Sequence, residues 1–283
     1  MKFVSFEISG RASYGLLTAN GVIDLGPRLG ASAPTLRDLL QLPDWQAIAR
    51  SHADAPADHA LAALKLLPVI PQPRTIACVG HNYEEHRVET QRDPTEHPSI
   101  FFRHPESLQG SGSALVRPRE STQLDYEGEL AVVIGQGGRR IAQENAWAHI
   151  AGVSCFNDGS VRDWQHHTRQ FGPGKNFAAT AGFGPALVTL DELPQNRVLS
   201  LQTRVNGQVV QQARTDQMIF PIPRLVAYVS TFMTLVPGDV IVTGTPGGVG
   251  VKRVPPLWLK PGDHVEVEIS SVGILSNGVA QEA

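Results

Sequence analysis

Short apolar runs, most of them four to seven residues long and closed by glycine, proline or asparagine, dominate the pattern of this chain and predict strands. Lys2 to Ile8, Tyr14 to Thr18 and Val22 to Leu25 read as strands, with Ala19-Asn20-Gly21 as a turn. Leu, Ile and Ala then recur at helical spacing over Thr35 to Leu42, Asp44 to Ala53 and His59 to Leu67. Pro68, Pro71 and Pro73 break that pattern and favour extended chain, so a boundary is expected there between a small region 1–70 and a larger region 71–283.

The larger region repeats the strand pattern. Thr75 to Gly80, Ser99 to Arg103, Leu130 to Ile134, Ile150 to Phe156, Val240 to Gly244, Pro261 to Ile269 and Gly273 to Val279 are expected strands. Leu199 to Gln212 is expected to fold as a hairpin about Asn206-Gly207, and Leu108 to Gly112 as a turn. Helical spacing is confined to His81 to Glu89, Glu144 to His149, a segment after Ser160, and the amphipathic stretch Ile222 to Leu235. The fold class is therefore α+β and β-rich, with a small N-terminal α/β part.

Composition narrows the function classes. With 283 residues, 41% hydrophobic and 18% charged, the chain has ample core for a globular protein. A net charge of -3 without any basic block argues against nucleic acid and anionic membranes as partners. Cys78 and Cys155 lie in apolar surroundings and read as buried free thiols, which suits a reducing compartment. No apolar run reaches membrane-spanning length and the first residues lack a leader pattern, so the expected location is the cytoplasm.

Candidate chemistry centres on Glu127 and Glu129. Residues two apart in a strand share a face, so the two carboxylates project together. Such a pair is either a solvated face or, beside a buried strand, half of a site for a hard divalent cation: Mg²⁺, Mn²⁺ or Ca²⁺. Asp158, at the end of the strand Ile150 to Phe156 and ahead of a helix that Ser160 could cap, is placed where a third carboxylate ligand would stand. His86 and Glu89 are three apart on a helix, which suits either an ordinary surface or an imidazole made more basic by its carboxylate. Arg162 and Gln165 share a helical face able to take a ligand's carboxylate or carbonyl, whereas His166 and His167 read as two exposed histidines. Phe171 to Phe177 is a tight turn bearing Lys175; it lacks the spacing of a phosphate-binding loop. The glycine-rich stretch after Val242 brings backbone, and the Thr245 hydroxyl, close to a ligand.

Five motifs stand in order: Val79-Gly80-x-Asn82-Tyr83-x-x-His86-x-x-Glu89, Asp125-Tyr126-Glu127-x-Glu129-Leu130, Asn157-Asp158-x-x-x-Arg162-Asp163-x-Gln165, Gly172-Pro173-x-Lys175 and Thr243-Gly244-Thr245-Pro246. Together they resemble the fumarylacetoacetate hydrolase family, in particular bacterial members with a short extra N-terminal domain, from about residue 71 to 280. The resemblance implies mixed, rolled β-sheets, a homodimer, and one Mg²⁺ or Mn²⁺ held by Glu127, Glu129 and Asp158. It also implies His86 and Glu89 as an acid–base pair on a lid, Lys175 as the catalytic lysine, and Arg162, Gln165 and Thr245 as substrate-binding residues. His81 departs from the apolar residue that many relatives carry before Asn-Tyr.

Three readings of function follow. The first is a metal-dependent hydrolase of a C–C bond in an acylpyruvate or related 2,4-dioxo acid, acting through an enolate that the metal stabilises. The second is a decarboxylase, isomerase or hydratase of a 2-oxo acid using the same enolate. The third is a non-catalytic ligand-binding protein, to which an acid–base pair would be of no use.

Overall fold

The computed structural model describes residues 1–283. Strands dominate, and they form the α+β, sheet-rich architecture expected from the short apolar runs. The main sheet has eleven strands. Nine of them run in the order β3 (Gly21–Asp24), β2 (Arg11–Thr18), β1 (Lys2–Ile8), β8 (Ala181–Thr189), β7 (Ile150–Asn157), β6 (Gly128–Ile134), β11 (Val240–Val242), β4 (Ile76–Gly80) and β5 (Ser99–Arg103). Two two-residue strands, Lys65–Leu66 and Leu108–Gln109, pair with β1 and β8. A second sheet of five strands contains β10 (Gln208–Arg214), β9 (Ser200–Val205), β12 (His264–Ile269) and β13 (Gly273–Gln281), followed by Leu115–Arg117.

The unbroken apolar run of β6 follows from its place in the middle of the main sheet. Its odd and even residues serve two different cores. Leu130, Val132 and Ile134 pack with Leu201, Val267, Ile269 and Leu275 of the second sheet and with the helix Ile222–Phe232. Ala131 and Val133 face the other way, toward Phe156, Phe183, Leu187 and the N-terminal residues Phe3, Tyr14, Leu36, Leu39 and Leu40. A strand buried on both faces cannot alternate apolar with polar positions. In the helix Ile222–Phe232 the buried residues Ile222, Leu225, Val226 and Val229 sit on one face at the expected spacing.

Three local expectations change. His59 to Leu67 is not a helix: a single 3₁₀ turn, Leu61–Ala63, precedes Lys65–Leu66, which pairs with Glu7 and Phe6 of β1. Strand pairing across the sheet overrides the helical spacing there. Leu108 to Gly112 begins with a two-residue strand before it turns. Ser160 does not cap a helix; it pairs with Asp125 in a two-residue bridge, and the following helix Arg162–Gln165 starts after Val161.

Residues 1–70 and 71–283 meet through one sheet, in which Phe3 pairs with Leu187, and through one shared core. Expressed from residue 71 onward, the chain would expose Phe183 and Leu187 and the open edge of β8. Such a chain is expected to aggregate or to bind a hydrophobic dye, checked by size-exclusion chromatography and dye fluorescence. A soluble, cooperatively folded 71–283 fragment would show that the larger region needs no cover from the smaller one. No helix is long and apolar enough to cross a membrane.

Candidate active site

Antiparallel pairing of β6 with β7 sets Gly128 opposite Asn157. The Asp158 amide therefore donates to the Glu127 carbonyl at 2.8 Å, and the Asn157 side chain accepts from the Glu127 amide at 2.9 Å. Glu127 lies just ahead of β6 and Glu129 within it. One carboxylate oxygen from each of Glu127, Glu129 and Asp158 lies within 4.8 Å of the others, and all three residues are buried.

Cations surround two of these acids. Lys175, at the end of the short helix Gly172–Lys175, places its ammonium 2.7 Å from Glu127 and also against Asp158. Arg103 binds the other Asp158 oxygen at 2.6 Å, and Arg162 lies 2.7 Å from Glu127. Glu129 has no ion pair; its one hydrogen bond comes from the Gly244 amide. Burial raises the Glu129 carboxyl well above its ordinary range, and the Asp158 and Glu127 charges add to it. Burial acts on Glu127 in the same direction, but Lys175 and Arg162 outweigh it and hold that carboxyl far below its usual value. For Lys175 burial works against the charged form, yet Asp158 and Glu127 keep the ammonium protonated. Three buried carboxylates, one without a counter-charge, are a donor set that fits a hard divalent cation such as Mg²⁺ or Mn²⁺.

Across the cavity, His86 and Glu89 sit on the helix Glu84–Glu89. His86 Nδ1 is 2.7 Å from Glu89 Oε1, which leaves Nε2 as the ring's other nitrogen. The His81 ring stacks on the His86 ring at 5.2 Å and 12° and packs edge-on against Phe171. His81 holds a left-handed backbone, φ 57°, and burial with the neighbouring His86 pushes its imidazole down to about 4, so it stays neutral.

The glycine-rich stretch after β11 does something the sequence did not reveal. Three of its amides bind carboxylates: Gly244 to Glu129, Gly248 to Glu89 at 3.0 Å, and Gly250 to Asp125 at 2.8 Å. Gly244 and Gly248 have φ near +100°, and a Cβ on Gly248 would lie 2.3 Å from the Val210 carbonyl. Glycine is required at these positions for the amides to face the acids.

Seven of the nine residues singled out in the sequence line one cavity of about 120 Å³: His86, Glu127, Glu129, Arg162, Gln165, Lys175 and Thr245. Glu89 stands behind His86 and Asp158 behind Lys175. Arg162 is already engaged, with Nε on Asp125 at 2.8 Å and Nη1 on Gln165 at 2.8 Å besides its contact with Glu127. The Thr245 hydroxyl donates to the Gly128 carbonyl and accepts from Gln211. His166 and His167 are exposed, as expected, although His166 reaches the cavity edge. Sequence reasoning assigned no role to Asp125, although it stands in a quoted motif, nor to Arg103, which no motif contains.

The chain is similar to several known proteins. The model described as "Fumarylacetoacetate (FAA) hydrolase C-terminal" matches residues 75–280. The oxaloacetate tautomerase YisK of Bacillus subtilis (strain 168) is 42% identical over 225 residues, covering 78% of this chain and 75% of that protein. The mitochondrial oxaloacetate tautomerase fahd2 of Xenopus laevis is 38% identical over 287 residues, covering 99% and 90%. Among solved structures, maleylpyruvate hydrolase from Sphingobium sp. SYK-6, in complex with manganese (II) and pyruvate, superposes with a TM-score of 0.83 at 26% identity over the whole of both chains. With its five motifs gathered at one cavity and most of its length matched, the chain belongs to the fumarylacetoacetate hydrolase family.

Proposed function

We propose that the protein is an enzyme that interconverts the keto and enol forms of a small 2-oxo diacid of the oxaloacetate type. The observation that carries this reading is the His86–Glu89 pair facing Lys175 across a cavity of about 120 Å³. Its lining, with Glu127 and Glu129 beside Arg162, Gln165 and Lys175, suits a small oxygen-rich acid. The kinship with two oxaloacetate tautomerases supports the same substrate class.

Glu127, Glu129 and Asp158 would hold the divalent cation, which supplies polarisation of the C2 carbonyl and so acidifies the C3–H bond. The proton at C3 passes to His86 Nε2, whose ring Glu89 orients and whose positive charge Glu89 stabilises. The electron pair of the broken C–H bond forms the C2–C3 double bond, and the negative charge collects on the C2 oxygen. Lys175, held protonated, places positive charge beside that oxygen; a proton taken up there from solvent gives the enol, and His86 returns the C3 proton to solvent. Gln165, whose side-chain oxygen is fixed by Arg162, has its amide N–H groups left to orient the ligand. Phe101 and Phe171 line the same cavity and limit water near the reacting carbon.

Hydrolysis of an acylpyruvate C–C bond is the second reading, favoured by the likeness to the Sphingobium hydrolase. Both pass through the same C3 anion. In deuterated buffer with Mg²⁺ the protein is expected to accelerate loss of the oxaloacetate enol absorbance and C3 deuterium exchange. Maleylpyruvate, given to the same preparation, is expected to yield little pyruvate. Rapid release of pyruvate without acceleration of enol loss would replace the tautomerase reading by hydrolysis.

A further inference from the structure

The charges of the cavity are divided. Its carboxylates, Glu127 and Glu129, lie at the floor, whereas Arg92, His166 and Lys252 stand at its edge. Arg162, the arginine nearest the floor, binds Asp125 and Gln165 and lies against Glu127, and its buried Nη2 has no hydrogen-bond partner, so it is placed for the carboxylate beside the carbonyl rather than for one at the mouth. On the tautomerase reading, a 2-oxo diacid brings one carboxylate beside the carbonyl and a second at its far end. Building on that reading, we infer that Arg92, assisted by Lys252, receives the distal carboxylate and makes the enzyme selective for diacids.

Arg92 is placed for this by the helix that carries the His86–Glu89 pair. After Glu89 the chain reverses at Gln91, which takes a left-handed φ of 56°. The Arg92 amide then donates to the Arg87 carbonyl at 3.0 Å, and the Arg87 side chain donates to the Arg92 carbonyl at 2.5 Å. The backbone of Arg92 is thereby fixed to the helix end, so cation and acid–base pair share one element. Its guanidinium makes no hydrogen bond or ion pair within the protein and borders both the cavity and two adjoining depressions. Lys252 likewise has no side-chain partner. Burial is the main reason that His166 is pushed below its usual value, and the charges of Arg162, Arg92 and Lys252 push in the same direction. Arg92, His166 and Lys252 line the same cavity, so Arg92 and Lys252 stand together at its mouth. A monoacid would leave Arg92 and Lys252 unused; a diacid gains a charge-assisted contact there.

The test compares 2-oxoglutarate with 2-oxopentanoate, which share a carbon chain and differ in the distal carboxylate, and adds oxalate as a ligand with no distal arm. Binding to Mg²⁺-loaded protein is measured by calorimetry, which does not require turnover. Wild type is expected to prefer 2-oxoglutarate, and Arg92→Gln to weaken it about tenfold or more while changing 2-oxopentanoate and oxalate less than about twofold. Lys252→Gln is expected to act in the same direction, less strongly. Arg169→Gln removes a charge from a neighbouring depression that is not part of the cavity, and it should leave all three affinities within about twofold. Equal weakening of both oxo acids by Arg92→Gln, an equal effect of Arg169→Gln, or no preference in wild type would overturn the assignment. Selective binding without enol turnover would remove the tautomerase reading alone; turnover without selectivity would remove Arg92's role alone.

Discussion

Replacing Glu89 by Gln is expected to lower kcat on oxaloacetate about a hundredfold while leaving the fold and the affinity for Mg²⁺ unchanged. Glu89 accepts from the Gly248 amide with one oxygen and meets His86 Nδ1 with the other. Gln offers only one acceptor oxygen, so either the amide or the imidazole faces an NH₂ group instead. General-base assistance contributes roughly 10²–10⁴-fold, which sets the scale of the loss. His86→Ala should be at least as damaging, and the double variant little worse, because a base and its orienting partner act as one unit. The measurement is steady-state kinetics beside a circular-dichroism melt and a metal titration. Wild-type kcat in both single variants would make the pair structural and bring forward the ligand-binding reading of the site.

The second large effect concerns the proposed metal ligands, and it has opposite signs with and without metal. Chelation is expected to abolish turnover, and Mg²⁺ or Mn²⁺ to restore it. Glu129→Gln should raise the melting temperature of the metal-free protein by roughly 2–4 °C, because it removes a buried carboxyl whose ionisation the folded state penalises and no counter-charge offsets. The same substitution should erase most of the stabilisation that metal gives wild type, about 2.7 kcal/mol at a concentration of 100 Kd. Since the Glu129 carboxyl is held above its unfolded value, its contribution to stability is present below the unfolded pKa and lost as the pH rises through the folded one. The gap between metal-free wild type and Glu129→Gln should therefore narrow toward pH 4 and widen toward pH 8. Calorimetric scans with and without chelator across that range check it. A variant that melts lower than wild type without metal would show that Glu129 is not an uncompensated charge.

What could be read in advance follows from the range of each interaction. Strands such as Ile76–Gly80 and Gly128–Ile134 declare themselves because burial on both faces leaves an unbroken apolar run. His86 and Glu89 were legible because a helix converts a spacing of three into contact. His59 to Leu67 misled because its spacing is helical while its fate is set by β1, some sixty residues away. Arg103 was invisible as a site residue for the same reason: its partner Asp158 is brought to it only by the folded sheet. The role of the glycine-rich stretch was half legible. Its glycines marked close approach, but the partners turned out to be the protein's own carboxylates, Glu129, Glu89 and Asp125.

The position of Val240–Val242 between Gly128–Ile134 and Ile76–Gly80 bears on how the protein is made. The two earlier strands leave the ribosome with facing edges that only this late strand can join. At ~5–20 residues per second, the edge of Gly128–Ile134 waits roughly 5 to 20 s for it and that of Ile76–Gly80 roughly 8 to 30 s. During that interval two apolar strands with unpaired amides and carbonyls are open to pairing with another nascent chain. Glu129 also lacks its Gly244 amide until the late strand arrives, so the acid cluster cannot be completed on a partial chain. Yield in a cell should therefore depend on holding chaperones more than the stability of the finished protein suggests, and slower growth temperatures should help chiefly by suppressing encounters between chains.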